Sequence, residues 1–348
     1  MKQNNTRSTI YFFTLSFDES HELLSHVVLW VKYLSKKFER VVVISPKINI
    51  GNADTSNLEF RTLGGGSIKF RILAIFRVLK ILFEIIPRHR ESIVFYHMIT
   101  YPAIVLSPIL RMFNVKQGLW YSHQYADFGL RVAVKFVDNC FSTMKSSFPA
   151  RSRKFLGIGH GIVSSTNFKS NTAREKILVL GRVSKVKRIE DLLIALERYS
   201  MQPEAVDIWG PVVDSEYCTW LQNIAKELSI NIEFKGTLSP KNRDVIISKY
   251  HAVYSGTLGS VDKAPLEAAA NGCFVLAINP DVISQSGMSR IYEKNTAKGY
   301  QDISLEKQLL LCSEMRSNET FREELAQLCQ NNNDLRGVID RIYTEMQK

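Results

Sequence analysis

Cysteine is sparse and unpaired in this chain: Cys140, Cys218, Cys273, Cys312 and Cys329 are scattered, odd in number, and form no C-x-x-C pair. That pattern argues against a disulfide framework and a zinc knot, and for a reducing interior. Long apolar runs are missing too. The most apolar stretch, 72–86, is interrupted by Arg77, Lys80 and Glu84, so no segment reads as a bilayer span. Residues 1–9 are polar and the apolar run after them, 10–17, is short and aromatic, so no secretory signal is read there. No helix-turn-helix, zinc-finger or RNP-like aromatic motif occurs, so nucleic acid is not expected as a partner despite a net charge of +11. No repeat recurs at a fixed period. The expectation is a cytoplasmic protein.

What is present is an ordinary globular composition, 45% hydrophobic and 23% charged over 348 residues, enough for two domains with separate cores. The charge is unevenly placed. Residues 1–165 carry 22 Lys and Arg against 10 Asp and Glu, whereas the remainder carries 23 against 24. The basic excess belongs to the first half, whose surface suits an anionic lipid or an acidic acceptor.

Apolar runs of strand length alternate with helical periodicity along the whole chain. Strands are predicted at 9–15, 40–45, 58–63, 92–96, 118–122, 140–143 and 153–158, and helices at 21–38, 68–86, 102–113 and 129–137. R-V-V-V-I-S (40–45) is the near-continuous apolar type that is buried on both faces of a parallel sheet. After a polar stretch, 163–174, the alternation restarts. Strands follow at 176–181, 205–209, 230–235, 252–255 and 273–277, with helices at 188–198, 215–228 and 240–250 between them, and helices again from 305 onward. The reading is an α/β protein with two doubly wound parallel sheets. Its parts are an N-terminal domain over 1–165, a C-terminal domain over 166–330, and a final helix over 331–348 that packs back on the first.

The stretch Y-S-G-T-L-G-S-V-D-K-A-P-L-E-A-A-A-N-G-C-F-V-L-A (254–277) organises the second domain. A small-residue turn opens a helix of about two turns, Gly272 ends it, and a strand follows. A Gly/Ser loop opening a helix leaves backbone N–H groups for an anion such as a diphosphate. Glu267 sits among small apolar residues in that helix, where a carboxylate requires a partner.

Together with I-L-V-L-G-R-V-S-K-V-K-R-I-E-D-L-L-I-A-L (177–196), V-D-I-W-G-P (206–211) and I-E-F-K-G-T-L (232–238), this stretch resembles the successive motifs of glycosyltransferase family 4. F-Y-H-M (95–98), L-W-Y-S-H (119–123) and G-I-G-H-G-I (157–162) resemble the family's first half more loosely. The resemblance implies the GT-B fold, two Rossmann-like domains with parallel sheets facing across a cleft. It also implies transfer of a sugar from a nucleotide sugar, with retention at the anomeric carbon, to a glycan or lipid-linked acceptor in cell-surface polysaccharide or glycoconjugate synthesis. A protein of this fold that binds a nucleotide sugar without transferring it, or a nucleotide-sugar epimerase, is the alternative.

Breaking the anomeric C–O bond leaves negative charge on a diphosphate, which needs fixed positive groups. The resemblance implies Arg182 and Lys187 for that task, the guanidinium suiting paired phosphate oxygens and the ammonium a single one. Solvated surface charges are the bland alternative for both. Glu267 matches the second glutamate of the family's E-x7-E pattern, which accepts hydrogen bonds from the ribose diol; a structural glutamate is the other reading. The first glutamate is absent, since Gly259 stands there. Ser260, Asp262 and Lys263, with the backbone around Gly259, are therefore expected at the donor sugar, and Gly236, Thr237 and Leu238 at the nucleotide. No D-x-D triplet occurs, and the resemblance implies neither a metal nor another cofactor.

His97, His123 and His160 stand at or just past predicted strand ends, and His21 in the loop after the first strand. His123 matches the family histidine that contacts the donor sugar near the reacting centre; a hydrogen-bonded structural histidine is its alternative. The family's glycine-rich N-terminal loop is replaced by S-F-D-E-S-H (16–21), leaving Asp18, Glu19 and His97 as the acceptor-side candidates. In the helix over 68–86, Lys69, Arg77, Lys80 and Glu84 share one stripe. That stripe is either the wet side of a packed helix or, with Arg88 and Arg90, a face resting on an anionic membrane at its inner, cytoplasmic side.

Overall fold

The computed structural model describes residues 7–19, 26–50, 56–64, 68–163, 176–201, 205–239, 242–295, 301, 303–316 and 318–348. His21 and most of the polar stretch 163–174 lie outside them. The chain divides into two compact units, Met1–Ile158 with Leu335–Lys348, and Gly159–Asp334.

The first unit holds β1 (Thr9–Thr14), β2 (Phe17–Asp18), β3 (Arg40–Ser45), β4 (Ile48–Asn49), β5 (Leu58–Thr62), β6 (Ser92–His97), β7 (Lys116–Trp120), β8 (Asn139–Ser142) and β9 (Phe155–Gly157). Seven of them form one parallel sheet in the order β5-β3-β1-β6-β7-β8-β9, and β2 pairs with β4 beside it. The sequence T-I-Y-F-F-T makes a central strand because every position of β1 is buried. Tyr11 and Phe13 pack with the helices Ile68–Ile85, Tyr101–Met112 and Phe128–Phe136. Ile10 and Phe12 point the other way, toward His26–Leu34 and Leu335–Gln347. This two-sided burial is what a near-continuous apolar strand predicts.

The last helix joins the first unit by close packing. A Cβ on Gly118 of β7 would come within 2.7 Å of the Met346 sulfur, so the glycine makes room for the helix. The Arg7 backbone N–H donates to Gln347 Oε1 at 2.8 Å, tying the two ends of the chain together.

Helix Ile68–Ile85 buries Val78, Ile81, Leu82 and Ile85. Its outer side is less polar than the sequence suggests: Phe76 is 62% and Phe83 80% exposed, with the exposed Lys80 between them. Arg77 does not belong to that outer stripe. Its guanidinium donates to the Leu63 carbonyl at 3.0 Å, because a carbonyl just past the end of β5 lies within reach of the long side chain. Lys69 lies where side chains fall outside the described set.

The second unit is a five-stranded parallel sheet of β10 (Ile177–Leu180), β11 (Val206–Trp209), β12 (Ile232–Gly236), β13 (Ala252–Ser255) and β14 (Phe274–Ala277), ordered β12-β11-β10-β13-β14. The strand order reverses direction between β10 and β13, which opens a crevice beyond their carboxyl ends. The helix expected over 240–250 is only Arg243–Ile247, with residues 240–241 outside the described set. Helices Pro280–Ser286 and Met288–Asn295 went unread in the sequence. The first carries its own signal: the Asn279 side chain accepts from the Asp281 N–H at 3.0 Å, Pro280 starts the helix, and Gly287 ends it at φ +88°.

Candidate functional site

Most of the second-domain candidates from the sequence lie past the carboxyl ends of β10, β12 and β13. Two glycines bring the loops together. A Cβ on Gly210, after β11, would stand 1.9 Å from the Gly181 carbonyl, after β10. A Cβ on Gly256, after β13, would stand 2.2 Å from the Lys187 carbonyl and 2.6 Å from the Tyr254 hydroxyl. Only residues without a side chain allow these backbones to approach so closely. The Tyr254 hydroxyl then donates to the Arg188 carbonyl at 2.8 Å, locking the β13 loop to the turn that carries Lys187.

Arg182 follows Gly181 directly, is exposed, and makes no hydrogen bond or ion pair among the described residues. Lys187 ends a short 3-10 turn, Lys185–Lys187, and its side chain folds over Gly181, where a Cβ would lie 3.4 Å from the ammonium. The Lys187 ammonium therefore lies over the residue that precedes Arg182. Lys187, however, is not held open. Its ammonium donates to Asp262 Oδ2 at 2.5 Å and to Thr257 Oγ1 at 3.2 Å, and Thr257 donates to the same Asp262 oxygen at 2.7 Å. The sequence treated Lys187 and Asp262 as separate ligands; folding makes them an ion pair across the switch point.

The loop from Gly259 to Asp262 is anchored from two more directions. Asn279 donates to the Ser260 carbonyl at 3.2 Å, and His160 Nε2 lies 3.1 Å from the Val261 carbonyl. Because that contact needs a proton on Nε2, Nδ1 is left bare, and it is buried without a partner among the described residues. Burial, aided by the positive charge of Lys263, pushes the imidazole down to about 4, so it is neutral at pH 7. Gly259 is exposed at φ +80°, a conformation suited to glycine.

Glu267 has the partners its position requires. Its side chain is 8% exposed, with Arg243 Nη1 at 2.8 Å from Oε2 and Lys263 Nζ at 3.8 Å from Oε1. Burial lowers the pKa of Lys263, Glu267 pulls it back up and Arg243 pushes it further down. Gly236 ends β12 and Thr237 follows it, both exposed, while Leu238 is buried at 5% exposure.

Among the first-domain candidates, Asp18 and His97 end β2 and β6, and Glu19 and His123 lie just past β2 and β7. His123 is exposed; its Nδ1 accepts from the Tyr125 N–H at 3.2 Å, which places the ring proton on Nε2. His97 is 1% exposed among Phe12, Trp30, Trp120 and His26, with the Trp30 ring 4.7 Å away. That setting is a packed aromatic cluster. Asp18 accepts from Asn49 at 3.2 Å, and Glu19 is exposed. Among the described residues no group of three or more His, Cys, Asp or Glu is arranged to hold a metal.

Arg243, Thr257 and Asn279 had no role in the sequence reading. Thr257 lies inside the organising stretch and was open to notice. Arg243 sits 24 residues before Glu267, and no local spacing signals the pair.

No protein-family model matches the chain, and no curated protein matches it by sequence. Solved structures do match over nearly the whole length. A glycosyltransferase from Rickettsia africae has a TM-score of 0.69 at 14% identity, covering 98% of this chain and 99% of its own. Anabaena HepE in complex with UDP and glucose has a TM-score of 0.66 at 12% identity, covering 97% and 99%. The lipopolysaccharide outer core galactosyltransferase WaaB, in its apo form, has a TM-score of 0.65 at 12% identity, covering 98% and 100%. The fold is that of the GT-B glycosyltransferases, two Rossmann-like sets of parallel strands.

Proposed function

We propose that this chain is a glycosyltransferase that takes its sugar from a nucleoside diphosphate sugar and transfers it with retention to a glycan or lipid-linked acceptor. The observation that carries the reading is Lys187 held against the β13 loop, with Arg182 five residues before it just past β10 and the buried Glu267 one helical turn beyond Lys263. In that reading the diphosphate lies against Arg182 and Lys187, which stabilise the charge that builds as the anomeric C–O bond breaks. Glu267 accepts from the ribose diol, its orientation set by Arg243. The loop at Gly236, Thr237 and Leu238 faces the nucleotide, and the Gly259–Lys263 loop faces the sugar. His123 serves the donor sugar through its Nε2–H, and Asp18 and Glu19 serve the acceptor. Side-chain cations take the place of a metal.

That HepE is solved with UDP and glucose makes UDP the first nucleotide to try. A thermal-shift panel of UDP, GDP, ADP and their sugars tests binding, because a ligand at a hundred times its dissociation constant stabilises by about 2.7 kcal/mol. Release of nucleoside diphosphate on adding a glycolipid extract then tests transfer. A shift from at least one pair with acceptor-dependent release is expected; no shift from any would overturn the reading, and binding without release would favour a non-transferring protein.

The acceptor side of the proposal is an anionic membrane surface. Phe76 and Phe83 stand out from helix Ile68–Ile85 on either side of Lys80, in the half of the chain that carries the basic excess. Exposed aromatics with a basic residue suit the headgroup boundary of anionic lipid. Among the described residues no helix is long and apolar enough to cross a membrane. Vesicles containing phosphatidylglycerol should co-sediment the protein, and Phe76→Ser with Phe83→Ser should release it. Equal binding by the double variant would remove this part of the proposal.

A further inference from the structure

The Lys187–Asp262 pair has a feature that neither residue's place in a motif explains. Asp262 occupies the N-cap of helix Lys263–Ala269 with φ −72° and ψ 150°, the extended backbone of a capping residue, yet its side chain makes no capping hydrogen bond. The carboxylate turns away from the helix and closes a ring with Lys187 and Thr257, every member donating to or accepting from another. The ring sits at the switch point between β10 and β13, with Arg182, which makes no hydrogen bond or ion pair among the described residues, two residues past the end of β10. The side chains of Lys187 and Asp262 are 18% and 29% exposed, so water screens their attraction only in part.

We propose that Asp262 is an internal counter-anion for Lys187 that competes with a bound diphosphate and sets how tightly this protein holds one. The inference rests on the reading that a diphosphate lies against Arg182 and Lys187. A diphosphate arriving there meets an ammonium already half neutralised and a carboxylate of like charge beside it. It binds by drawing Lys187 away from Asp262 or by tolerating the repulsion, and either costs affinity. The backbone of Asp262 is already set for capping, so a displaced carboxylate has a partner waiting. Pro265, the third residue of the helix, has no N–H, which leaves Ala264 as the donor it can reach. The functional consequence is release: the product nucleoside diphosphate carries more negative charge than the donor sugar ester, so Asp262 weakens the product more than the substrate. Asp262 is a positioning residue in this scheme, acting through Lys187.

The test is the sign of one change in affinity. UDP, GDP and ADP are titrated calorimetrically into the full chain, wild type and Asp262→Asn, at the same salt concentration. Asparagine keeps the shape and removes the charge, so the nucleotide the wild type binds should bind about 5-fold tighter, the range of a partly exposed ion pair. Its affinity should rise more than that of the corresponding nucleotide sugar. Unchanged or weaker binding by Asp262→Asn overturns the proposal, because a merely structural role leaves affinity alone and a role in aiming Lys187 at the phosphate weakens it. Asp262→Ala, which also removes the charge, provides a second variant should Asp262→Asn fold poorly; it should shift affinity in the same direction. Wild-type protein that binds none of the three would sink the underlying site reading as well. Binding in the wild type that is lost in Lys187→Met but not tightened in Asp262→Asn sinks this inference alone.

Discussion

Arg243 and Glu267 meet at 2.8 Å across 24 residues of chain, joining the short helix after β12 to the helix after β13. The carboxylate is 8% exposed and the guanidinium 33%, so the pair is buried on one side only. Removing Arg243 strands a buried negative charge with Lys263 alone.

Arg243→Ala should therefore cost about 1–3 kcal/mol of stability, less than a fully buried pair because the arginine is partly in water. Urea denaturation measures this. Arg243→Ala with Glu267→Gln should recover part of the loss, since the stranded charge is gone. In the thermal-shift assay Glu267→Ala should abolish the response to any nucleotide that stabilises the wild type.

Arg182→Ala should leave the melting temperature of the free protein within error, because the side chain is exposed and makes no hydrogen bond or ion pair among the described residues. Turnover should fall by about 100- to 1000-fold if the guanidinium meets the leaving diphosphate. A variant as active as the wild type would remove Arg182 from the chemistry.

His123→Ala should separate binding from turnover. The ring is held by one backbone hydrogen bond from Tyr125, and the nucleotide contacts are assigned to residues of the other unit. The nucleotide-induced shift should persist while diphosphate release is lost; loss of both together would argue for a structural histidine.

Acid should destabilise the protein through His160. Its pKa in the fold is about 4, below the ordinary 6.5, so the unfolded chain takes up a proton first as the pH falls. The stability it contributes is fully present above pH 6.5 and is lost as the pH drops toward 4. His160→Gln can keep a donor for the Val261 carbonyl and does not titrate, so its urea midpoint should fall less between pH 7 and pH 5 than that of the wild type. Identical slopes would exclude His160 as the source.

Chelation offers an independent check on the proposed use of side-chain cations. Activity should survive dialysis against EDTA; loss of activity restored by magnesium or manganese would show that a metal shares the diphosphate with Arg182 and Lys187.

Much of this was legible locally. The strands β3 and β13 fall where five and four apolar or small residues run together, because strands buried on both faces have no polar side to disguise them. The helix around Glu267, Lys263–Ala269, was bracketed by the small-residue turn over 256–260 and by Gly272, residues whose preferences are local. Helix Pro280–Ser286 was overlooked although Asn279 and Pro280 mark its start, because seven residues are too few for periodicity to speak. Arg77 was grouped with the charged stripe but bonds back to the Leu63 carbonyl, since a helical wheel shows direction and not the carbonyl within reach of a long side chain.

What the sequence determined by itself is the set of parts: two α/β units, the glycines, cations and carboxylates after particular strands, and the anomaly of a glycine at 259. Those follow from short-range pattern, which the backbone period and the chemistry of each residue impose. Tertiary structure alone decided who faces whom. Lys187 meets Asp262 because β10 and β13 are neighbours in the sheet although 75 residues separate the two side chains. Arg243 meets Glu267 because the helices before and after β13 pack together, and His160 reaches Val261 across 101 residues of chain. Pairing between charges depends on distance through space, and only the strand order β12-β11-β10-β13-β14 sets that distance.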